Sequence, residues 1–571
     1  MKMKPINLPK TNFQDSKQLF NRARTNKTST STIFKISLLT LLLTLAFLFP
    51  ATTWSEQPLT PIYPLLLSSE VNNQNERAFP EAQGGGAASK GGRGGIVYEV
   101  TNLSDSDEEG SLRYGLTAAE YKNVPRTIVF KVGGYIHLQR TILVRDDSFI
   151  TIAGQTAPGD GITVVFPSSP NGGVFEFRNT HDVIMRYIRI RKGGSPPEEY
   201  RQQGSNLSII GDCYNIIVDH CSIGWAGDEN FGMFNVHPGG AVVPNNITFQ
   251  WSISSENLRR ATTVDGRLTD STGFFVGSST NPETSVNVSV HHNLFARNNN
   301  RNPTIKGGSG DIAANIIYNW GWYASAVRGG VIIDIVDNVY KAGPARQGGD
   351  RRPEVTFIPA EEGNPATGVF RDLSMYFNGN IGYHNADPAQ DAWDTMMHHA
   401  DENFAYLGGV VTPVSRDFQR MQMRTVTHPI DRENALTLDT TLLANDGVGN
   451  SRRLLADGSW VNNRDLVDAR VINDYLNATG DTLVSSVDMV GGWPYYDNGV
   501  HRYIPEAQFI ANPGQYQLNM GTAYPDSDND GMSDVWETAH GLDENNPDDR
   551  NEDSDNDGYT NLEEFLNGPL P

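Results

Sequence analysis

Short apolar, β-branched runs recur along the middle of the chain and predict a series of short β-strands. They are spaced by roughly thirty residues, and Gly, Asn, Asp and Ser fill the gaps as turns require. No long helical periodicity interrupts them, which disfavours folds that alternate strands and helices. The runs that show the pattern are 149–153, 182–190, 215–223, 246–253 and 288–295.

An asparagine returns before an apolar pair in later runs, at Asn293, Asn315, Asn338 and Asn380. If each run is one rung of a coil of parallel strands, these amides stack and can hydrogen-bond one another. The pattern predicts an all-β fold, a right-handed parallel β-helix, which is a single-stranded solenoid with long loops. A β-sandwich is the alternative, but it needs alternating strands and tight hairpins, whose signals are sparse here.

The segments outside the repeat have their own patterns. Residues 84–95 are Gly-rich and form a lead-in, and residues from about 345 to 520 contain few strand-like runs. Within them, 463–476 predicts a helix that packs on the coil. Its apolar positions share one broad face, and they are Leu466, Val467, Ala469, Val471, Ile472 and Leu476.

The N-terminus carries a targeting pattern. Residues 1–35 are polar and basic, 36–49 are apolar, and Pro50 ends the run. The run is short for a membrane span, so residues 1–55 are predicted to be a signal peptide, followed by a linker over 56–77. This predicts a secreted, cell-surface or periplasmic protein with no stable membrane insertion once processed. An uncleaved anchor is the alternative.

Charge and cysteine content narrow the function further. The 571 residues carry a formal net charge of −22, which makes a nucleic-acid partner a poor fit. A polyanionic substrate would also be repelled, unless metal ions and a local basic patch intervene. The cysteines, Cys213 and Cys221, flank an extended run and stand too far apart for a disulfide, so both are predicted to be buried free thiols.

Two acidic twelve-residue loops occur near the C-terminus, at 526–537 and 553–564. Each places oxygen-bearing side chains at positions one, three, five, nine and twelve, with glycine at position six, as in the Ca²⁺ loop of the EF-hand type. The segment 521–571 is therefore predicted to bind Ca²⁺ as a compact structural module; an acidic disordered tail is the alternative. The predicted side-chain ligands are Asp526, Asp528, Asp530, Asp534, Glu537, Asp553, Asp555, Asp557, Asn561 and Glu564.

Several motifs together resemble the pectate lyase family of β-helical polysaccharide lyases. The likeness covers roughly 78–480, within a predicted β-helix domain over 78–520. The C-terminal loops resemble the tandem calcium loops of dockerin and thrombospondin type 3 segments. The family motifs lie at 78–82, 91–98, 110–113, 125–130, 152–161, 218–222, 228–230, 301–303 and 318–321.

The resemblance implies β-elimination on pectate or a related polyuronate, an acidic plant or algal cell-wall polysaccharide. It assigns Arg301 as the base and Lys306 and Arg328 to substrate binding, while Asp228 and Glu229 would hold Ca²⁺ in the cleft. Arginine is normally always protonated, so a base role requires nearby positive charge. A monomer is expected.

Three positions depart from the family pattern. Thr272 stands where a substrate-binding lysine is expected, and Asn206 and Gly232 stand where acids are expected. These changes weaken a calcium site in the cleft. They keep open a second class of function, a non-catalytic polysaccharide-binding protein that descends from a lyase.

A β-helical glycoside hydrolase is the other enzymatic alternative. It needs converging carboxylates, for which Asp219, Asp228 and Glu229 are candidates. Other side chains have two interpretations: His220, His291 and His292 are base candidates or buried structural groups. The tryptophans either line a sugar-binding cleft or pack in the interior; they are Trp225, Trp251, Trp320 and Trp322.

Overall fold

Parallel strands stack into three long faces that wind around one interior, which confirms the predicted parallel β-helix. The computed structural model describes residues 77–568, apart from 170–171, 195–203, 235–243, 260–270, 278–285, 345–353, 359–372, 400–411 and 481–482. The predicted signal peptide and all of the linker except Arg77 lie outside the described residues. No helix in the described part of the chain has the length and apolar character to cross a membrane.

Each turn of the coil contributes one strand to each face. The first face contains the strands Ile142–Arg145, Phe175–Arg178, Leu207–Ile210, Glu229–Phe234, Thr272–Gly277, Val355–Ile358 and Met397–His399. The second face contains Ile96–Val100, Arg126–Phe130, Ser148–Ala153, His181–Arg186, Tyr214–Asp219, Asn245–Gln250, Val286–His291 and Ser374–Asn378. Two longer strands, Thr304–Ala313 and Ser325–Val336, run through both of these faces.

The third face and the surrounding elements complete the fold. The third face contains Gly134–His137, Ile162–Val165, Arg189–Arg191, Ser222–Gly224, Ile253–Ser255, Leu294–Ala296, Ile316–Tyr318 and Val339–Lys341. Within the ranges described, three pairs of strands are antiparallel: Met397–His399 with Thr412–Pro413, Arg452–Leu454 with Trp460–Asn462, and Trp493–Asp497 with Val500–Ile504. The α-helices of the described residues are Leu112–Thr117, Trp393–Met396, Leu438–Leu442, Leu466–Asn477, Glu506–Ala511, Asp534–His540 and Asn561–Asn567.

The predicted asparagine ladder is present inside the coil. Asn293 donates to Asn315 at 3.0 Å, Asn315 donates to Asn338 at 3.0 Å, and Asn338 donates to Asn380 at 2.9 Å. Each side-chain amide also donates to a backbone carbonyl, as Asn315 does to Val290 at 2.8 Å. The ladder therefore satisfies buried polar groups at the same corner of successive turns.

A single residue in the left-handed conformation makes the corner between the second and third faces. Tyr187, His220, Trp251 and His292 occupy this corner, with φ between 47° and 54°. Their rings stack on one another with centroids 4.9, 5.9 and 4.8 Å apart. His220, His292 and Trp251 thus serve as a stack at the corner of the coil.

The elements outside the coil cover it. The helix Leu466–Asn477 packs Val471, Ile472 and Tyr475 against the third face, as predicted. The prediction was wrong at Ala469 and Leu476, which are exposed because they lie on the opposite side of that helix. The Gly-rich lead-in lies on the second face, where Gly86 donates to Thr248 Oγ1 at 2.8 Å. Cys213 and Cys221 are buried free thiols, as predicted.

Candidate functional site

Arg301 lies at the edge of the first face, three residues before the start of the strand Thr304–Ala313. Its backbone is left-handed, with φ of 57°, and a cis peptide bond joins Asn302 to Pro303. The carbonyl of Arg301 accepts a hydrogen bond of 2.7 Å from Phe274 N, which ties it to the preceding turn of the coil. This hydrogen bond holds Arg301 against the first face, where its side chain contacts Glu229 and Phe275.

The guanidinium of Arg301 contacts an acid and an aromatic ring of earlier turns of the coil. Its Nη1 pairs with Glu229 Oε1, two turns of the coil away. Its Cζ lies 4.3 Å from the centre of the Phe275 ring, within the range of a cation–π contact. The Arg301 side chain remains 25% exposed, whereas that of Glu229 is only 3% exposed. The arginine is therefore held from two sides and still accessible to a substrate.

Electrostatics keep Arg301 protonated in this arrangement. Burial acts to lower the pKa of Arg301, but the charge of Glu229, followed by Tyr323 and Asp228, outweighs it and the pKa lies above its ordinary value. An arginine that acts as a base needs a lowered pKa, so that it can lose its proton near neutral pH. Any loss of the Arg301 proton therefore requires a change in the Glu229 contact or a cation nearby.

Lys306 and Arg328 lie side by side on the first face. They are register partners on the adjacent parallel strands Thr304–Ala313 and Ser325–Val336, and both are partly exposed. Adjacent parallel strands lie about 4.8 Å apart. The structure thus brings together the two cations that the sequence assigned to substrate binding.

The carboxylate set expected for a cation in the cleft is incomplete. Glu229 is already bound to Arg301 and accepts from Ser205 Oγ at 3.3 Å. The expected lysine position, Thr272, is 1% exposed, and its hydroxyl donates to the carbonyl of Asp228 at 3.1 Å. Among the described residues no group of three carboxylates converges on the first face. Ca²⁺ takes six to eight oxygen ligands, so the protein residues present do not fit a resident ion there.

The two other departures have structural causes. A Cβ atom at Gly232 would overlap the ring of Phe234, which covers this position on the outer surface. Asn206 is buried and points inward, where its amide donates to Gly224 O at 2.8 Å and to Asn230 Oδ1 at 2.9 Å. Neither position faces the cleft with room for a carboxylate.

Asn206 belongs to a second amide network that our sequence analysis missed. Asn230 donates to Asn298 Oδ1 at 3.4 Å, and Asn298 donates to Asn302 Oδ1 at 3.0 Å. The network runs inside the coil directly below Arg301 and its neighbours. The run of asparagines at 298–300 was the available signal.

The carboxylates proposed for a hydrolase do not converge. Asp219 lies on the second face, where it is fully buried and pairs with Arg186 Nε at 2.7 Å and His220 Nδ1 at 2.9 Å. Burial raises the pKa of Asp219, but His220 and Arg186 outweigh it and hold the pKa far below its ordinary value. Asp228 and Glu229 lie at the first face instead. Asp219 is thus an interior anchor.

The remaining histidine and tryptophan candidates are mostly interior groups. His291 is fully buried, and burial followed by the neighbouring His292 lowers its pKa well below the ordinary value. Trp225 and Trp320 are each 1% exposed and pack inside the protein. Trp251 and Trp322 are partly exposed; Trp251 belongs to the ring stack at the corner of the coil, and Trp322 packs beside Tyr323.

In each acidic loop the structure brings several of the predicted carboxylate ligands together. In the second loop, one carboxylate oxygen from each of Asp553, Asp555, Asp557 and Glu564 lies within 4.8 Å of the others. In the first loop, Asp526, Asp528 and Asp530 form one such group. These sets consist of oxygen donors on a short, tightly turned backbone, which suits a hard cation such as Ca²⁺.

Crowding of carboxylates shifts their pKa values upward. Burial raises the pKa of Glu537 to about 8, and the charges of Asp530, Asp528 and Asp549 act in the same direction. Burial likewise raises the pKa of Asp530 to about 7 and that of Glu564 to about 7. Bringing these groups together without a cation opposes folding.

The position-nine side chains lie outside these carboxylate groups. Asp534 accepts from Ser527 N at 2.7 Å and Ser527 Oγ at 2.8 Å. Asn561 accepts from Ser554 N at 3.3 Å and donates to Asp549 O at 2.7 Å. In this structure both side chains stabilise the loop backbone through hydrogen bonds and do not join the carboxylate groups.

Curated relatives match nearly the whole chain. A probable pectate lyase C from Neosartorya fischeri is 31% identical over 518 residues, which cover 89% of this chain and 98% of the relative. A probable pectate lyase C from Aspergillus terreus is 30% identical over 499 residues, covering 86% of this chain and 94% of the relative. No family model matches the chain.

The chain also matches solved structures at low sequence identity. The major allergen jun a 1 from cedar pollen has a TM-score of 0.42 and 16% identity, over 65% of this chain and 94% of the allergen. A variant of a pectate lyase from Bacillus subtilis has a TM-score of 0.40 and 12% identity, over 66% of this chain and 99% of that protein.

Proposed function

Because the chain belongs to the pectate lyase family and is a polysaccharide lyase, we propose that it cleaves pectate or a related polyuronate by β-elimination, with Arg301 as the base. The observation that carries the proposal is the placement of Arg301. It is fixed on the outer surface of the first face, and the register pair Lys306 and Arg328 lies on the following strands. An acidic sugar chain laid across these strands would meet three cations in succession.

The reaction assigns a separate task to each group. Lys306 and Arg328 bind uronate carboxylates and hold the chain across the strands. Arg301 first releases one guanidinium proton to water and then takes the proton from C5, next to the carboxylate. The C5–H electrons form the C4–C5 double bond, and the glycosidic oxygen leaves C4 with its bonding pair and takes a proton from water.

Positive charge is needed to make Arg301 a base. In the resting arrangement Glu229 holds the Arg301 proton in place, so the contact between them must weaken when substrate binds. We propose that the substrate carboxylate, held by Lys306 and Arg328, displaces the guanidinium from Glu229. Calcium assistance in the cleft is implied by the family, but the residues present do not fit a resident ion, and no step is assigned to one.

We further propose that the C-terminal loops bind Ca²⁺ and account for a calcium requirement of the protein. The donor set in each loop is rich in carboxylates, and an ion there would neutralise them. The protein is proposed to act as a secreted monomer on acidic cell-wall polysaccharide.

The direct test is the ultraviolet absorbance of the unsaturated uronate product. Polygalacturonate, methylated pectin and alginate are each incubated with the protein, with Ca²⁺ and with a chelator. We expect absorbance to rise with at least one of them. New reducing ends without this absorbance would instead establish hydrolysis.

The second candidate is a non-catalytic polysaccharide-binding protein. It is favoured by Thr272 and Gly232, where the family pattern has a lysine and an acid, and by the pairing of Glu229 with Arg301. Binding of polygalacturonate in affinity electrophoresis, without product absorbance for any of the three polymers, would establish it.

A further inference from the structure

The buried end of the first acidic loop contains a carboxylate from outside the loop motif. Asp549 lies in the short 3₁₀ turn Asp549–Asn551, between the two loops. One oxygen each from Asp530, Glu537 and Asp549 lies within 4.8 Å of the others. All three residues are buried, with exposures of 1%, 0% and 4%.

Several oxygens of these carboxylates have no hydrogen-bond partner. Both oxygens of Glu537, Oδ2 of Asp530 and Oδ1 of Asp549 have none among the described residues, whereas Asp530 Oδ1 accepts from Met532 N at 2.8 Å and Asp549 Oδ2 accepts from Asp543 N at 3.2 Å. A buried polar atom without a partner is costly, and several like charges together are more so. A cation bound among the three carboxylates would satisfy these oxygens.

Asp549 also joins the first loop to the second. Its backbone carbonyl accepts a 2.7 Å hydrogen bond from Asn561 Nδ2. Asn561 Oδ1 in turn accepts from Ser554 N, at the second position of the second loop. A change in the position of Asp549 is therefore transmitted to the backbone of the second loop.

The segment that contains both loops is docked on the coil. Met532, Trp536, Leu562 and Phe565 share an apolar cluster with Ala153, at the end of a strand of the second face. Ion pairs flank this cluster. Lys131 Nζ binds Asp526 Oδ2 at 2.8 Å, and Arg93 Nε binds Glu563 Oε1 at 2.8 Å.

We propose that Asp549 is a ligand of a divalent cation held together with Asp530 and Glu537, and that this ion couples the two loops and fixes the segment 524–568 on the second face. The donors are all oxygens, so Ca²⁺ is the expected ion. The proposal rests on the calcium binding proposed above for the loops. It goes further by adding a ligand from outside the motif and by giving the segment a stabilising role.

The test uses the purified full chain, freed of metal, and Ca²⁺ alone as the probe. Calorimetric titration is carried out on the wild type, on Asp549→Asn and on Asp548→Asn; Asp548 is the exposed neighbour that supplies the matched control. We expect two ions in the wild type and the control. Asp549→Asn should lower the binding affinity for one ion by about tenfold or more, and should lower the affinity for the other ion as well.

Thermal unfolding provides a readout that does not depend on activity. Without metal at about pH 8, Asp549→Asn and Glu537→Gln should both raise Tm, because each removes charge from a repulsive cluster. With saturating Ca²⁺ both should lower Tm relative to the wild type. A purely structural role for these carboxylates would give the same sign in both conditions and would overturn the proposal.

Two negative results separate the proposals. A wild type that binds no Ca²⁺ overturns calcium binding by the loops and the role of Asp549 together. A wild type that binds two ions, with Asp549→Asn and Glu537→Gln indistinguishable from Asp548→Asn, overturns only the buried site and its coupling. Neither result bears on lyase activity, which is measured separately by product absorbance.

Discussion

Arg301 pairs with Glu229 across two turns of the coil, although 72 residues separate them in the chain. The strand Thr272–Gly277 lies between them, and its Phe275 ring supports the guanidinium. The pair connects the proposed base to one of the acids that the family pattern would assign to a metal.

Replacing Arg301 should abolish product formation. We expect Arg301→Ala to lower kcat by about 100-fold or more, the range attributed to general base catalysis. Arg301→Lys should lose nearly as much, because lysine cannot reproduce both the Glu229 contact and the stacking on Phe275. Arg301→Ala should also lower Tm by leaving Glu229 buried without its partner, and adding Glu229→Gln should restore Tm but not activity. Unchanged activity in Arg301→Ala would refute the assignment.

Lys306 and Arg328 should affect substrate affinity more than turnover. Lys306→Ala and Arg328→Ala are each expected to raise KM for polygalacturonate by about tenfold, with smaller changes in kcat, because binding cations act on substrate and transition state alike. The difference in KM between these variants and the wild type should become smaller as salt is added, because salt screens the attraction between the cations and the polymer. Arg416→Ala, at an exposed ion pair elsewhere, is the control. If KM is the same in all variants, the polymer does not cross these strands.

The covered position at Gly232 can be tested by adding the missing acid. Gly232→Asp alone should lower Tm only slightly, because the outer edge of the Phe234 ring must turn aside to admit the new Cβ. Combining it with Phe234→Ala should relieve the overlap and add a carboxylate to the outer surface of the first face. We expect only the double variant to gain calcium-dependent activity. A gain of this activity in the single variant would show that the Phe234 ring leaves the position open.

The asparagine ladder should contribute strongly to stability. Asn315→Ala removes two donated bonds from the side chain and leaves buried partners unsatisfied, which costs about 2 to 4 kcal/mol. A clear fall in Tm is expected. Asn477→Ala, at an exposed helix end, is the control and should leave Tm nearly unchanged. Equal Tm values for both variants would contradict the ladder's role.

The buried Asp219 makes stability depend on pH. Its pKa is held below the ordinary value in the folded protein, so its contribution is complete above the unfolded pKa of about 4 and is lost as pH falls below it. Asp219→Asn should cost about 3 to 5 kcal/mol at pH 7. The difference in Tm from the wild type should narrow near pH 3, with exposed Asp212→Asn as the control. If the Tm difference between Asp219→Asn and the wild type stays constant with pH, ionisation of Asp219 is not coupled to folding.

The sequence identified many residues of the candidate site, but it did not predict which of them contact one another. The R-x-P motif identifies Arg301, and the strand after it contains Lys306; both are local signals. The partner of Arg301 was not predicted, because Glu229 meets it only when two particular turns of the coil stack. The departures at Asn206 and Gly232 were visible as changes of residue type. Their causes, an inward amide network and a covering ring, were not.

The sequence by itself determined the coil and located the acidic loops. Strand periodicity and the twelve-residue motifs are local patterns, and the asparagines recur at the same point of successive runs, so all three are visible along the chain without knowledge of the packing. Only the tertiary structure decided the pairing of Arg301 with Glu229, the covering of Gly232 and the place of Asp549. Loops of variable length separate the turns of the coil. Which side chains meet across turns therefore depends on stacking register and packing, which no local pattern encodes.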